Sequence, residues 1–172
     1  MSSDGVSIQG EQVIVLGAGG VGRAVAFMCA AKGAAHVWLL NRTVEKADEV
    51  AKEVNLAEGR SCVEALAMSD YDKLPDEKYL VIQSTSVGLY PHVEDAVITD
   101  PAFYHKVKAG YDLIYRPWET RFMQLVKEQG APAYNGLKML LYQGIEAFEL
   151  WNQCKIEDES AYKLYEMLRT TV

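Results

Sequence analysis

The chain has 172 residues, a length typical of one folded domain, and 49% of them are hydrophobic while 24% are charged. These proportions are close to globular averages and exclude a disordered or collagen-like chain. A formal net charge of −7 argues against a nucleic-acid partner, since such proteins usually carry a basic face. Three scattered cysteines predict reduced thiols in a cytoplasmic protein without a metal site, and no apolar run reaches the ~18 residues of a membrane span.

Strands and helices alternate through the first third of the chain. Apolar, β-branched runs predict buried strands over Gln12 to Leu16 and His36 to Leu40. An Ala-rich segment predicts a helix over Arg23 to Lys32, stopped by Gly33, and a second helix is predicted over Thr43 to Val54 with Thr43 at its N-cap. This β-α-β-α order is typical of a parallel sheet.

The pattern continues less regularly to the end of the chain. Strands are predicted over 61–66, 79–84, 111–115 (stopped by Pro117) and 131–134, and helices over 120–129, 136–152 and 160–169. The helix over 136–152 is apolar nearly all round, so we expect it to be buried on more than one side. The sequence therefore predicts an α/β Rossmann-type fold, a doubly wound, mainly parallel sheet with helices on both faces. We expect residues 1–10 to be a flexible lead-in and residues 11–172 to form the domain.

A glycine-rich turn joins the first predicted strand to the first helix. It reads Gly17-Ala18-Gly19-Gly20-Val21-Gly22 and fits G-x-G-x-x-G. In that motif the first glycine permits the tight turn, the second leaves room for a pyrophosphate, and the third lets helix and strand pack closely. The helix start also offers free N–H groups to phosphates. The strand–turn–helix context favours dinucleotide binding over a turn with packing roles only.

The residues after the second strand bear on the choice of dinucleotide. Enzymes that use NAD usually place Asp or Glu there for the ribose 2′-hydroxyl. This chain has Asn41, Arg42 and Thr43, with Lys46 one turn later. These side chains can donate hydrogen bonds to a 2′-phosphate, whereas an acidic side chain repels it, so the sequence predicts NADP. The alternative is that Thr43 only caps the helix while Arg42 and Lys46 are solvated, and the two roles are compatible.

Three later stretches give the sequence a family resemblance. Residues 83–89 (Q-S-T-S-V-G-L) are similar to an N-A-T-P-L-G-M segment, and residues 112–120 (D-L-I-Y-R-P-W-E-T) are similar to D-x-x-Y-x-P-x-x-T. Residues 135–144, continuing to Phe148 and Trp151, are similar to N-G-x-x-M-L-x-x-Q. With the glycine loop and Asn41-Arg42-Thr43, these stretches resemble the nucleotide-binding half of shikimate dehydrogenases over about residues 9–153.

The resemblance implies reversible hydride transfer between NADP(H) and the 3-dehydroshikimate/shikimate pair. It implies that Ser84, Thr85, Ser86 and Val87 bind the cofactor, with Thr85 and Ser86 beside the nicotinamide ribose. Gly136 and Met139 would flank the nicotinamide, while Tyr115 and Gln143 would bind the substrate. From the sequence alone, Tyr115 and Met139 could equally be core residues. Gln143 is an amide on an otherwise apolar helix and so needs a partner.

The chain departs from the family pattern in two places. Gln83 stands where the family usually has Asn, which leaves the local hydrogen bonding open. The family's catalytic Lys and Asp belong to an N-terminal substrate domain, and Asp4-Gly5 resembles its N-T-D motif only faintly and lies too close to Gly17. We therefore assign no catalytic residue here and expect that domain to be absent. The abrupt start before the first strand favours a piece of a longer protein.

Several alternatives remain open at the level of sequence. One is a quinate/shikimate dehydrogenase that uses NAD; a glutamyl-tRNA-reductase-like domain is disfavoured by the N-G-x-x-M-L-x-x-Q stretch and the acidic charge. Another is a non-catalytic dinucleotide-sensing module, which would need Gly17, Gly19 and Arg42 but neither Tyr115 nor Gln143. The C-terminal helices also carry more apolar surface than one Rossmann face requires, which predicts a homo-oligomer or a loosely held last helix. The alternative there is a monomer whose last helix folds back.

Overall fold

Six strands form one parallel sheet in the computed structural model, which describes residues 4–171. In chain order they are β1 (Gln12–Leu16), β2 (His36–Asn41), β3 (Val63–Ala67), β4 (Tyr79–Gln83), β5 (Val107–Asp112) and β6 (Ala133–Tyr134). Their order across the sheet is β3-β2-β1-β4-β5-β6, and each pairing is parallel. This is the doubly wound α/β sheet of Rossmann type that the sequence predicts.

Helices cover both faces of the sheet. They are α1 (Gly20–Ala31), α2 (Val44–Glu58), α3 (Pro101–Tyr104), α4 (Arg121–Glu128), α5 (Leu137–Asn152) and α6 (Asp158–Thr171), with a 3-10 helix over Met68–Lys73. Alternate residues of β1 point to opposite faces, so Val13 and Val15 pack against α1 and α2 while Ile14 and Leu16 pack on the side of α3 and α4. Burial on both faces explains why these strands read as continuous apolar runs.

Most predicted elements lie within one turn of their observed limits, but the strand predicted over 111–115 is displaced. Strand β5 begins at Val107 and ends at Asp112. It ends there because the Asp112 carboxylate accepts the N–H of Ile114 at 2.9 Å, which turns the backbone out of the sheet. The short helix α3 and the 3-10 helix were not predicted.

Helix α5 is less buried than its composition predicts. Leu137, Leu141 and Ile145 form its buried stripe, one residue per turn. The opposite side faces solvent, where Leu150 is 76% and Trp151 81% exposed. The expectation of burial on more than one side is wrong for the described chain, because its buried residues form a single stripe, which α6 contacts at Leu141 and Ile145 through Ala161. None of the described helices is long and apolar enough to span a membrane.

The segment before β1 lies along α5. Residues 1–3, where the predicted lead-in begins, and residue 172 lie outside the described part of the chain. Asp4 forms an ion pair with Lys138 of α5, and Ile8 is buried in the core on the side of α1. The thiols of Cys29 and Cys62 are buried and that of Cys154 is exposed, all three unpaired. No group of His, Cys, Asp and Glu within residues 4–171 has the composition of a metal site.

Candidate dinucleotide-binding site

The glycine-rich loop turns the chain sharply at the carboxyl end of β1. The Gly17 N–H donates to the Leu40 carbonyl at 2.7 Å, which continues the pairing of β1 with β2 for one residue. Gly17 has φ +104°, in the region that favours glycine. A Cβ at this position would lie 2.7 Å from Cγ2 of Thr85. The turn therefore brings the start of α1 against the loop that follows β4.

The glycines of this loop differ in the space around them. A Cβ on Gly22 would lie 2.0 Å from the Gly17 carbonyl oxygen, so α1 packs directly on the turn. A Cβ on Gly19 or Gly20 would meet nothing within 4 Å. Gly19 is the N-cap of α1, and the first turn of this helix has neither an acidic side chain nor a side-chain cap. Its free N–H groups and positive dipole end thus face open space, an arrangement that fits a pyrophosphate.

The end of β2 is tied to the glycine loop by Asn41. The Asn41 Oδ1 accepts the Ala18 N–H at 3.1 Å, and its Nδ2 donates to the Thr43 carbonyl at 2.8 Å. Thr43 is the N-cap of α2, as predicted, but its hydroxyl makes no capping bond. The side chains of Arg42, Thr43 and Lys46 are exposed beside the loop. Asn41 therefore fixes this corner, and the side chains after it remain available.

The loop after β4 carries the predicted residues 84–87. The Ser84 hydroxyl donates to the carbonyls of Leu16 at 2.8 Å and Gly17 at 3.2 Å, which joins β4 to the glycine loop. Thr85 Oγ1 accepts the Val87 N–H at 3.1 Å. Ser86 and Val87 are exposed at the rim. The structure thus brings the glycine loop, the Asn41 corner and residues 84–87 together at the carboxyl edge of the sheet.

The ends of β4 and β5 hold a buried polar network that the sequence analysis did not identify as functional. Gln83, Asp112 and Thr120 are each 0% exposed. The Thr120 hydroxyl donates to Asp112 Oδ2 at 2.6 Å, and Gln83 Nε2 donates to the Val87 carbonyl at 3.0 Å. Burial raises the pKa of Asp112 to about 6 against the opposing effect of its hydrogen bonds. Polar residues that end neighbouring apolar strands were the available sequence signal.

The predicted nicotinamide and substrate residues are divided between two parts of the structure. The Gly136 N–H donates to the Ile114 carbonyl at 2.9 Å, and a Cβ on Gly136 would lie 2.1 Å from the Leu113 carbonyl oxygen. This contact fixes the start of α5 beside the turn that carries Tyr115, which is 39% exposed. Met139 lines a groove of about 440 Å³ between α1 and α5.

Gln143 lies one turn beyond Met139 on α5 and does not line that groove. It is exposed and lines a separate hollow with residues from the second half of α5 and from the segment that follows it. Because it is exposed, solvent can satisfy its amide, so Gln143 does not need the protein partner that the sequence predicts. Gln143 and Met139 are four residues apart on α5, and Gln143 is the more exposed of the two.

An all-parallel, doubly wound sheet with a glycine-rich loop between β1 and α1 defines a Rossmann-type α/β domain. A family model described as shikimate / quinate 5-dehydrogenase matches residues 2–99, and one described as shikimate 5'-dehydrogenase C-terminal domain matches residues 136–162. The chain belongs to the shikimate/quinate 5-dehydrogenase family.

Individual relatives agree with this assignment. The shikimate dehydrogenase (NADP(+)) of Methanosarcina barkeri is 35% identical over 151 residues, which are 88% of this chain and 53% of that protein. The structure of a chorismate mutase/shikimate 5-dehydrogenase fusion protein from Clostridium acetobutylicum matches with a TM-score of 0.86 at 28% identity, over 99% of this chain and 58% of the other. A shikimate dehydrogenase in complex with NADP+ matches with a TM-score of 0.74 at 29% identity, over 91% and 54%. The chain spans about half the length of these relatives.

Proposed function

We propose that this chain is the NADP-binding part of a shikimate dehydrogenase-like oxidoreductase, which interconverts 3-dehydroshikimate and shikimate. The observation that carries the proposal is the open, uncapped start of α1 beside the exposed Arg42. Free N–H groups of a helix start suit a pyrophosphate, and a guanidinium next to them suits a 2′-phosphate. The NADP(+) in the names of the curated relatives supports the same cofactor.

Each part of the cofactor has candidate partners on this chain. The backbone of residues 18–21 would hold the pyrophosphate, because the space beside Gly19 and Gly20 lies open. Arg42, Thr43 and Lys46 would hold the 2′-phosphate, while Asn41 keeps their segment next to the loop. Glu45 is the acidic residue in the first turn of α2. Because a carboxylate repels a 2′-phosphate, we expect the phosphate to lie on the side of Arg42, which makes Arg42 the contact to test.

The nicotinamide end of the cofactor would lie over the ends of β4 and β5. When bound, NADP(H) supplies or accepts the hydride. Thr85 and Ser86 would orient the ribose, Gly136 and Met139 would border the ring, and Tyr115 and Gln143 would contact the substrate. We propose that the proton-transferring Lys and Asp lie in the N-terminal substrate domain, in the half of the relatives that this chain does not match.

The choice of cofactor is tested by Arg42→Ala. This variant should weaken the binding of NADP⁺ by about 10- to 150-fold, the value of one charge-assisted hydrogen bond, and leave the affinity for NAD⁺ nearly unchanged. Calorimetric titration of both cofactors measures the difference. Lys52→Ala is the matched control, since it removes the same charge from α2 at a lysine paired with Asp48. Equal losses for the two cofactors would refute the 2′-phosphate assignment, and absence of NADP⁺ binding by the unaltered chain would refute the proposed function.

A further inference from the structure

Two polar side chains lie next to each other on adjacent strands, at the carboxyl ends of β4 and β5. Gln83 and Asp112 are register partners of β4 and β5. Gln83 Nε2 lies 3.4 Å from Asp112 Oδ1, and neither side chain has exposed surface. With Thr120, also fully buried, they form what we call the edge network. A buried polar network of this kind is stabilising only when its members find partners.

One end of the edge network holds the loop after β4. The Gln83 side-chain oxygen accepts the Thr85 N–H, and its Nε2 donates to the Val87 carbonyl at 3.0 Å. One amide therefore bonds the loop at two points, two and four residues beyond its own position. The other bonds at the tip of the loop are local, such as that from the Val87 N–H to Thr85 Oγ1, and the side chains of Ser86 and Val87 are exposed.

The other end of the edge network holds the turn after β5 and the start of α4. Asp112 Oδ1 accepts the Ile114 N–H at 2.9 Å, and Asp112 Oδ2 accepts the Thr120 hydroxyl proton at 2.6 Å. Thr120 Oγ1 in turn accepts the Met123 N–H at 3.3 Å, which caps α4. The turn that carries Tyr115 is thus fixed at both of its ends by the same carboxylate.

We propose that Gln83, Asp112 and Thr120 are positioning residues that set the distance between residues 84–88 and residues 113–120, and so order the nicotinamide half of a bound dinucleotide. The inference rests on the proposed function. None of the three side chains can touch a ligand, because each is fully buried. The adenosine half would contact the glycine loop and Arg42, which the edge network does not bond. Disturbing the network should therefore affect the two halves of the cofactor unequally.

The test uses Thr120→Val in the full chain, which removes the hydroxyl with little change of shape. Affinities are measured for NADP⁺ and for adenosine 2′,5′-bisphosphate, which lacks the nicotinamide and its ribose. NADP⁺ binding should weaken by about 5- to 20-fold, which is less than the full value of a charge-assisted hydrogen bond because Thr120 acts on the ligand only through the turn, while the affinity for adenosine 2′,5′-bisphosphate should stay within about 2-fold. Thr120→Ser, which keeps the hydroxyl, should restore NADP⁺ binding. Gln83→Met removes the amide at similar volume and should show the same selectivity.

Tyr79→Phe is the matched control for general destabilisation. Its buried hydroxyl donates to the Pro75 carbonyl at 2.9 Å at the other end of β4, so its loss should leave both affinities unchanged. Equal weakening of both ligands by Thr120→Val and Gln83→Met, or no weakening of NADP⁺, would refute the positioning role alone. Failure of the unaltered chain to bind NADP⁺ would refute the proposed function and the inference with it.

Discussion

Asp112 illustrates how one buried carboxyl group makes stability depend on pH. Burial raises its folded-state pKa to about 6, above the unfolded value of about 3.9, although Thr120, Ile114 and Gln83 all donate to it. The folded chain therefore binds more protons than the unfolded chain between these two values. The contribution of Asp112 to the free energy of unfolding should fall as the pH rises from about 4 to 6 and stay constant above that range. A shift of about two pKa units corresponds to about 3 kcal/mol.

Urea unfolding of the unaltered chain and of Asp112→Asn between about pH 4.5 and 8 measures this effect. The unaltered chain should lose stability relative to the variant as the pH rises to about 6. Asp100→Asn is the control, because hydrogen bonds from Ala102 and Tyr71 lower the pKa of Asp100. The contribution of Asp100 to the free energy of unfolding changes only at pH values below this range. The difference in unfolding free energy between Asp100→Asn and the unaltered chain should therefore not change with pH. A flat difference for Asp112→Asn as well would contradict the burial argument.

Two glycines of the same loop should respond to alanine in opposite ways. Gly19 has φ −75°, and a Cβ added there would meet open space, so Gly19→Ala should leave the melting temperature unchanged. It should weaken the binding of both NADP⁺ and NAD⁺, because the methyl group occupies the approach of the pyrophosphate. Gly22→Ala should destabilise the fold itself, because its Cβ would lie 2.0 Å from the Gly17 carbonyl oxygen. Thermal melting and titration of both cofactors separate the two effects. Unchanged affinity in a folded Gly19→Ala chain would mean that the loop binds no pyrophosphate.

At the scale of elements, α6 depends on a small contact with α5. The buried cluster between them consists of Leu141, Ile145 and Ala161. Leu141→Ala should weaken this contact by about 2–5 kcal/mol and release α6 without unfolding the sheet. Hydrogen exchange should then accelerate over Asp158–Thr171 and stay slow in β1. Leu150→Ala is the matched control on the same helix, since Leu150 is 76% exposed. Equal protection of α6 in both variants would show that other contacts hold it.

The exposed surface of the same two helices includes several large aromatic and aliphatic side chains. The exposed fraction is 49% or more for five of them, namely Phe148, Leu150 and Trp151 of α5 and Tyr162 and Met167 of α6. Such surface often marks a binding face. The self-association expected from the sequence stays a prediction.

At the scale of the whole molecule, nucleotide binding and turnover should be separable. The full chain should bind NADP⁺ but show no oxidation of shikimate at saturating NADP⁺, because we propose that the acid/base pair lies outside the part of the family that this chain matches. Formation of NADPH, followed by absorbance, measures turnover. The shikimate dehydrogenase (NADP(+)) of Methanosarcina barkeri serves as the positive control. Robust turnover by this chain would overturn that location of the acid/base pair.

The fold was predictable because a sheet buried on both faces leaves continuous apolar runs, and β1, β2 and β4 each show one. The glycine loop was predictable because its motif occupies six consecutive residues, in which Gly17 takes a positive φ and Gly22 packs on the Gly17 carbonyl. Strand β5 was harder to predict, since Lys108 and Gly110 interrupt its apolar run. Gly110 is needed there because a Cβ would lie 2.8 Å from a methyl group of Val126, a contact made by α4 and invisible in the sequence.

The site was only partly predictable for a related reason. Asp112 and Gln83 are distant in sequence, and only the pairing of β4 with β5 reveals that they share one buried network. Gln143 shows the opposite error. Its position on an apolar helix indicated that its amide would need a protein partner, but the buried stripe of α5 lies on another side of the helix and leaves Gln143 in solvent.

The strand order also bears on how fast the chain can fold. Val13 pairs on one side with Val37, which is close in sequence, and on the other with Leu80, which is far away. The β1–β2 unit can form locally, but the central β1–β4 pair must wait until a long intervening segment has closed on itself. Parallel sheets with such distant pairings fold more slowly than proteins dominated by local contacts. The strands whose loops come together at the proposed cofactor site are therefore also those whose pairing we expect to limit the folding rate.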